Sequence, residues 1–170
     1  TATSFTYGKP VLGLDGTYTV TVDLTDRAGN AAAGVSQNMT GFAIDTQAPT
    51  ITAHTVSPAR VKSGQAITVT FTTGEALGAD PTVKLGTIAM AKTAQAGNDY
   101  TYAYTPTGSE GDGTRSVTVS LTDPAGNPGS ATFAEAVEFD FTVPSVVSSA
   151  AAPNPAKNGA VISYRVTVSE

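Results

Sequence analysis

The chain has 170 residues, no cysteine and a formal net charge of −5 at pH 7. The lack of cysteine excludes disulfides and thiol catalysis, so burial of apolar side chains must stabilise the fold alone. A net negative charge argues against nucleic acid or an anionic membrane surface as a partner. No run of about 18 apolar residues occurs, which predicts that this segment does not insert into a membrane.

An alternating stretch that ends in a turn occurs twice. Residues 20–30 read VTVDLTDRAGN, and residues 117–127 read VTVSLTDPAGN. Strict alternation of apolar and polar residues predicts a half-buried β-strand. The Asp and Gly-Asn that follow are typical of a turn, because Asp bonds to its own backbone and Gly and Asn tolerate positive φ. Each copy is therefore predicted to be a strand that leads into a tight loop carrying a carboxylate.

The two copies belong to a repeat that extends over the whole chain. Matched positions include Asp15 and Asp112, Asp26 and Asp123, Asp45 and Asp140, and Pro49 and Pro144. The offset is 97 residues up to the loop (123 − 26) and 95 residues after it (140 − 45).

The repeat register predicts the domain organisation. Residues 47–143 are one complete unit, residues 1–46 are the C-terminal half of a preceding unit, and residues 144–170 are the opening strands of a following unit. We therefore expect the chain to be a section of a longer array. An incomplete sandwich has exposed edges and cannot bury its apolar face, so the flanking pieces are expected to need a partner.

The complete unit reads as seven or eight short strands. They cover residues 50–56, 60–62, 65–72, 82–85, 87–91, 100–105, 114–122 and 131–141. Short strands at this spacing, separated by turn residues, predict an all-β chain of immunoglobulin-like antiparallel β-sandwiches in tandem repeat. The predicted core includes Val69, Phe71, Val119, Leu121 and Phe139.

At these motifs the chain resembles the bacterial immunoglobulin-like repeats of large secreted adhesins, among them biofilm-associated giant adhesins and RTX-type adhesins. The resemblance rests on residues 121–127, on the linker IDTQAPT at residues 44–50 and on FTTGE at residues 71–75. It implies an extracellular location on a bacterial cell surface. Its implied partners are neighbouring repeats of the same chain or copies of it, and host or matrix glycans. The second linker, DFTVP at residues 140–144, departs from the Asp-Thr-x-Ala-Pro form.

Catalysis finds little support in the sequence, and we predict that the chain is not an enzyme. His54 is the single histidine, and it falls within a predicted strand without a strained nucleophile turn nearby. A Ser-His-Asp triad would have to use it, and a zinc site needs several His or Cys ligands. The acids fall in loops at strand ends, which is a poor match to the paired carboxylates of a glycosidase cleft.

Three tyrosines alternate on one predicted strand, at Tyr100, Tyr102 and Tyr104, and Phe5 and Tyr7 are the counterparts of the last two. Such a face can stack on a sugar ring, or it can fill the sandwich core with its hydroxyls at the rim. The repeat keeps large aromatic residues there, which favours the core interpretation.

The loop acids predict a metal site. Loops of an immunoglobulin-like sandwich gather at its two ends, which meet in a head-to-tail array. At the first junction Asp15 and Asp45 would face Glu75, Asp99 and Asp123. These acids can be ordinary turn residues, or they can bind calcium, which takes about 6–8 oxygen ligands. We expect calcium to bind there and to stiffen the junction.

The second junction offers a different set of acids. These are Glu110, Asp112, Asp140 and Glu170. The other half of that site is missing from the sequence, so we expect it to bind calcium weakly or not at all.

Three functional hypotheses remain open. The first is a structural or adhesive stalk of a bacterial extracellular surface protein. The second is an accessory spacer or sugar-binding module of a secreted polysaccharide-degrading enzyme. The third is a subunit of an extracellular filament in which strands are exchanged between neighbours, since sheet edges accept added strands.

Overall fold

The computed structural model describes residues 6, 8, 13–32 and 41–170, and the backbone alone for Glu135. Every regular element in this part of the chain is a β-strand. It contains no helix long and apolar enough to cross a membrane. The strand predicted around Phe5 and Tyr7 lies outside the described residues.

The described residues form fifteen strands. In chain order these are β1 (Gly16–Tyr18), β2 (Leu24–Thr25), β3 (Ala31–Ala32), β4 (Phe42–Ile44), β5 (Ile51–Ser57), β6 (Arg60–Val61), β7 (Ile67–Thr73), β8 (Thr82–Leu85), β9 (Ile88–Ala89), β10 (Ala91–Ala96), β11 (Asp99–Tyr104), β12 (Gly113–Thr122), β13 (Pro128–Phe139), β14 (Val146–Ala152) and β15 (Ser163–Val168).

Two sheets form the central sandwich, as predicted. One has the strand order β10-β11-β7-β5, and the other has the order β6-β13-β12-β8-β9. All neighbours are antiparallel except β6 and β13, which pair in parallel over two residues. The inner faces of both sheets contribute to a single core cluster.

Alternation along β7 and β12 builds this core. In β7 the side chains of Ile67, Val69 and Phe71 point inward, and in β12 those of Val119 and Leu121 do. The five predicted core residues, which also include Phe139, are each at most 3% exposed. Burying a side chain of this size contributes roughly 1.5–3 kcal/mol, so these alternating runs supply much of the stability of the unit.

Strand β10 was not predicted, and its six residues include no large apolar side chain. All six of its residues are exposed, and it lies at a sheet edge with β11 as its neighbour. A bulge between Lys92 and Ala94 also breaks its register. Backbone pairing rather than an apolar face holds this strand, so periodicity does not reveal it. Strand β13 likewise begins three residues before the predicted start, at Pro128.

The flanking segments form separate small sheets. In the N-terminal segment β1 pairs with β4, and β2 pairs with β3. In the C-terminal segment β14 pairs with β15. Most of their large apolar side chains are exposed, in contrast to those of the central unit.

The loop between β11 and β12 folds around Glu110. Its carboxylate accepts hydrogen bonds from the backbone N–H groups of Thr107 (2.9 Å) and Gly108 (2.8 Å) and from the hydroxyls of Thr107 and Tyr104. The bonds from Thr107 and Tyr104 lower the pKa of Glu110 from its ordinary value of 4.5 to about 2. The ionised carboxylate is therefore part of the folded loop.

Shortening a core residue of β12 tests the assignment of its faces. Leu121→Ala should cost about 2–5 kcal/mol, from lost burial and the cavity left behind. Thr118→Ala, on the opposite face of the same strand, should stay within about 1 kcal/mol. Urea unfolding measures both changes, and equal midpoints for the two variants would contradict the assignment.

The Glu110 loop predicts a pH dependence of stability. The folded pKa lies below the unfolded one, so the contribution of Glu110 is present above about 4.5 and is lost as the pH falls towards about 2. Glu110→Gln should therefore be less stable than the parent near neutral pH, with a difference that shrinks over this acid range. Thermal melts across the range measure it, and a difference that stays constant would contradict the role given to the carboxylate.

Candidate metal site at the first junction

Three of the five predicted metal ligands come together. Carboxylate oxygens of Asp45, Glu75 and Asp123 lie within 4.8 Å of one another. Asp45 follows β4 at the start of the linker, Glu75 follows β7, and Asp123 follows β12. Asp123 is buried and the other two are half-buried. One acid from the linker and two from the central unit therefore share one small space.

Hydrogen bonds within its own loop hold Asp123 in place. Oδ1 accepts from the backbone N–H groups of Gly126 (2.7 Å) and Asn127 (2.8 Å), and Oδ2 accepts from Nδ2 of Asn127 (2.7 Å). Gly126 has φ of 97°, which explains the need for glycine there. Burial by itself would raise the pKa of Asp123, but the bonds from Asn127 and Gly126 outweigh it and lower the pKa below its ordinary value.

Asn127 connects this loop to the linker. Its Nδ2 also donates to the main-chain oxygen of Asp45, at 3.0 Å. The loop that carries Glu75 contacts the end of β12, where the backbone N–H of Gly78 donates to the carbonyl of Thr122 at 2.9 Å. A Cβ atom at Gly78 would lie 2.5 Å from the backbone oxygen of Asp123, so only glycine lets the Glu75 loop approach this closely.

A second glycine positions the linker. A Cβ atom at Gly129, the second residue of β13, would lie 2.2 Å from the carbonyl oxygen of Pro49. The linker therefore passes directly over the start of this strand. Sequence analysis does not single out Gly78 or Gly129. Gly129 falls before the predicted start of the last strand, so no strand pattern in the sequence marks it as a point of close backbone approach.

Asp15 lies outside the cluster and braces the linker instead. Its Oδ1 accepts hydrogen bonds from the backbone N–H (2.8 Å) and the hydroxyl (2.6 Å) of Thr46, and these bonds lower its pKa. Asp112 does the same at the second linker, where it accepts from the backbone N–H of Phe141 and the hydroxyl of Thr142. At each junction, therefore, an aspartate accepts hydrogen bonds from the linker that leaves its unit.

The fifth predicted ligand, Asp99, is also outside the cluster. It begins β11, and its Oδ1 accepts a hydrogen bond of 2.6 Å from the hydroxyl of Thr72 on the neighbouring strand. At the second junction Glu110 is engaged by its own loop and Asp112 by the linker. Among the described residues, the acids that lie close enough together to hold one metal ion are Asp45, Glu75 and Asp123.

No cationic side chain neutralises this cluster in the described part of the chain. The ion pairs there are Arg60–Glu138 and Lys92–Asp80. Three carboxylates within 4.8 Å of one another repel when ionised. A cation bound here would relieve that repulsion.

The other candidate residues have structural environments. Tyr100 and Tyr102 are each 3% exposed, and their rings stack against Phe71 with centroids 5.4 and 5.9 Å away. The hydroxyl of Tyr102 donates to the carbonyl of Pro81 at 2.6 Å. The core interpretation of the tyrosines is therefore confirmed for these two. His54 lies on β5, within the strand predicted for it, where it is exposed and its ring stacks on that of Phe133.

Comparison with known proteins agrees with this architecture. A family model described as the bacterial Ig-like domain matches residues 45–141, more than half of the chain. The matched region begins at Asp45 of the acidic cluster and ends just after β13. Searches of curated proteins and of solved structures gave no match. With its two-sheet sandwich and this family match, the chain belongs to the bacterial Ig-like domain family.

Proposed function

We propose that this chain is a section of a stalk that extends a bacterial surface protein away from the cell, and that calcium bound by Asp45, Glu75 and Asp123 stiffens its first junction. Membership of the bacterial Ig-like family supports a structural role at the cell surface. The finer proposal rests on one observation, the approach of these three carboxylates to within 4.8 Å.

The origin of the three acids explains why a cation here would act on the junction. Asp45 belongs to the linker, whereas Glu75 and Asp123 belong to loops of the central unit. A cation held by all three would therefore tie the linker to the unit that follows it. Without the cation, repulsion among the carboxylates favours a linker that moves away from the unit.

The chemistry of the donors suits calcium. Calcium binds carboxylate and carbonyl oxygens at about 2.3–2.6 Å and accepts irregular geometry, and water completes its shell. The cluster offers carboxylates alone, while zinc prefers His and Cys ligands. Hydrogen bonds already orient the Asp123 carboxylate, which reduces the entropy lost when it binds an ion.

The affinity expected for such a site suits an extracellular protein. Extracellular calcium modules bind with dissociation constants of about 10⁻⁴–10⁻³ M, so a site of this class fills only where calcium is plentiful. A stalk benefits because rigid junctions project its tip, whereas flexible junctions let the array coil back. The sugar-binding alternative loses its aromatic platform, because Tyr100 and Tyr102 are buried in the core.

Calorimetric titration with calcium tests the site itself. The 170-residue chain should bind one ion, and Glu75→Gln should weaken binding by about tenfold or more because one charged ligand is lost. Asp99→Asn is the matched control, since Asp99 bonds to Thr72 outside the cluster, and its affinity should equal that of the parent. No binding by the parent, or equal losses in both variants, would contradict the proposal.

Solution scattering and melting test the mechanical consequence. Millimolar calcium should extend the particle and raise its melting temperature, because the linker becomes fixed to the central unit. The double variant Asp45→Ala with Asp123→Ala should show neither response. If the parent keeps its shape and stability in calcium, the three acids act as turn residues and packing alone sets the junction.

A further inference from the structure

The two linkers meet the central unit at opposite ends of its sandwich. The first linker passes the loop after β12, where Asn127 donates to the main-chain oxygen of Asp45. The second linker is held by Asp112, which lies just before β12. Because β12 has ten residues, these two ends lie about 33 Å apart along the strands. Tension between the two linkers therefore runs along the strands of the unit.

The strand segment that follows the first linker is paired directly with the strand that precedes the second. β5 leads within a few residues into β6, and β6 pairs with β13 in parallel. The backbone N–H groups of Glu138 and Asp140 donate to the carbonyls of Ala59 (2.8 Å) and Val61 (3.0 Å). The shortest hydrogen-bonded path from one linker to the other crosses this pair of strands.

The parallel direction of β6 and β13 decides how tension acts on their hydrogen bonds. Force on the start of β5 and on the end of β13 pulls the two strands past each other along their length. The bonds between parallel strands are evenly spaced along the ladder, so they are loaded side by side and must break together. Two antiparallel strands that are pulled apart from one end instead open one bond at a time. The β6–β13 pair is thus loaded in the geometry that resists extension.

Side chains tie the same two strands together on both faces. On the inner face, Val61 and Phe139 are cross-strand partners, and each is 1% exposed in the core. On the outer face, Arg60 lies opposite Glu138, and its Nη2 and Nε are 2.6 and 2.8 Å from Oε2 of that carboxylate. An exposed ion pair contributes little to equilibrium stability. This one, however, spans the two strands that tension pulls past each other.

The other ion pair in the described part of the chain lies away from this path. Lys92 of the edge strand β10 pairs with Asp80, just before β8. Both partners belong to segments between β6 and β13 in the chain, so tension between the linkers does not cross their contact. The two ion pairs therefore differ in their position relative to the direction of force.

We infer that the central unit resists tension, and that the β6–β13 pair with its Arg60–Glu138 ion pair sets the force at which the unit unfolds. This goes beyond the proposed stiffening of the first junction, because it concerns contacts inside the unit and needs no bound ion. While the pair holds, force passes from β6 to β13, and the strands from β7 to β12 are shielded from it. A stalk segment of this kind stays folded when its tip is pulled.

Single-molecule force spectroscopy of the full chain, in a calcium chelator, tests the inference. The sequence has no cysteine, so Thr1→Cys and Glu170→Cys give unique points of attachment. Unfolding of the central unit should release about 300 Å of chain, from about 3.6 Å per residue less the folded length. The rate of unfolding governs this measurement. Arg60→Gln should unfold severalfold faster than the parent at the same force. Lys92→Gln, the matched control, should unfold at the rate of the parent, and the two variants should share one melting temperature.

A second direction of pulling separates this inference from a general change in stability. Thr1→Cys with Ala96→Cys applies force to two points at the same end of the sandwich, since the carbonyl of Asn98 accepts from the backbone N–H of Thr73 at the end of β7. This force does not run from β6 to β13, so the unit should unfold at a lower force than when it is pulled through both linkers. Equal forces in the two directions, or an Arg60→Gln variant that unfolds no faster than Lys92→Gln, would overturn the inference.

Discussion

The carboxylate of Asp123 is the group on which the junction depends. A buried acid must have its oxygens satisfied, and the backbone of residues 126 and 127 and the amide of Asn127 do so here. The same bonds end β12 and turn the chain into β13. They also aim Asn127 at the main-chain oxygen of Asp45. One hydrogen-bonded loop thereby sets the end of the sandwich, the path of the linker and the place where three acids meet.

The sandwich supplies the rigid frame for this loop. Alternating apolar residues of β7 and β12 bury one face of each sheet, and this pattern is visible in the sequence. The repeat also indicates which loops share an end of the unit, so Asp45, Glu75 and Asp123 could be predicted as neighbours. Their proximity follows from topology rather than from any local motif.

Other features depend on contacts that periodicity does not encode. Asp15 accepts a hydrogen bond from Thr46, and Asp99 accepts one from Thr72. The sequence pattern does not encode these side-chain contacts. Asp15 and Asp99 were therefore predicted as metal ligands, although they lie outside the cluster. Strand β10 escaped prediction because its pairing is a backbone effect at a sheet edge. The close approaches at Gly78 and Gly129 appear only when the loops are placed in space.

An array of bacterial Ig-like units projects only if each junction between units is held in place. A crystal structure of the chain grown in millimolar calcium tests the junction most directly. The account predicts one ion bound by carboxylate oxygens of Asp45, Glu75 and Asp123 at about 2.3–2.6 Å. Carboxylates that separate, with water and no ion between them, would contradict it.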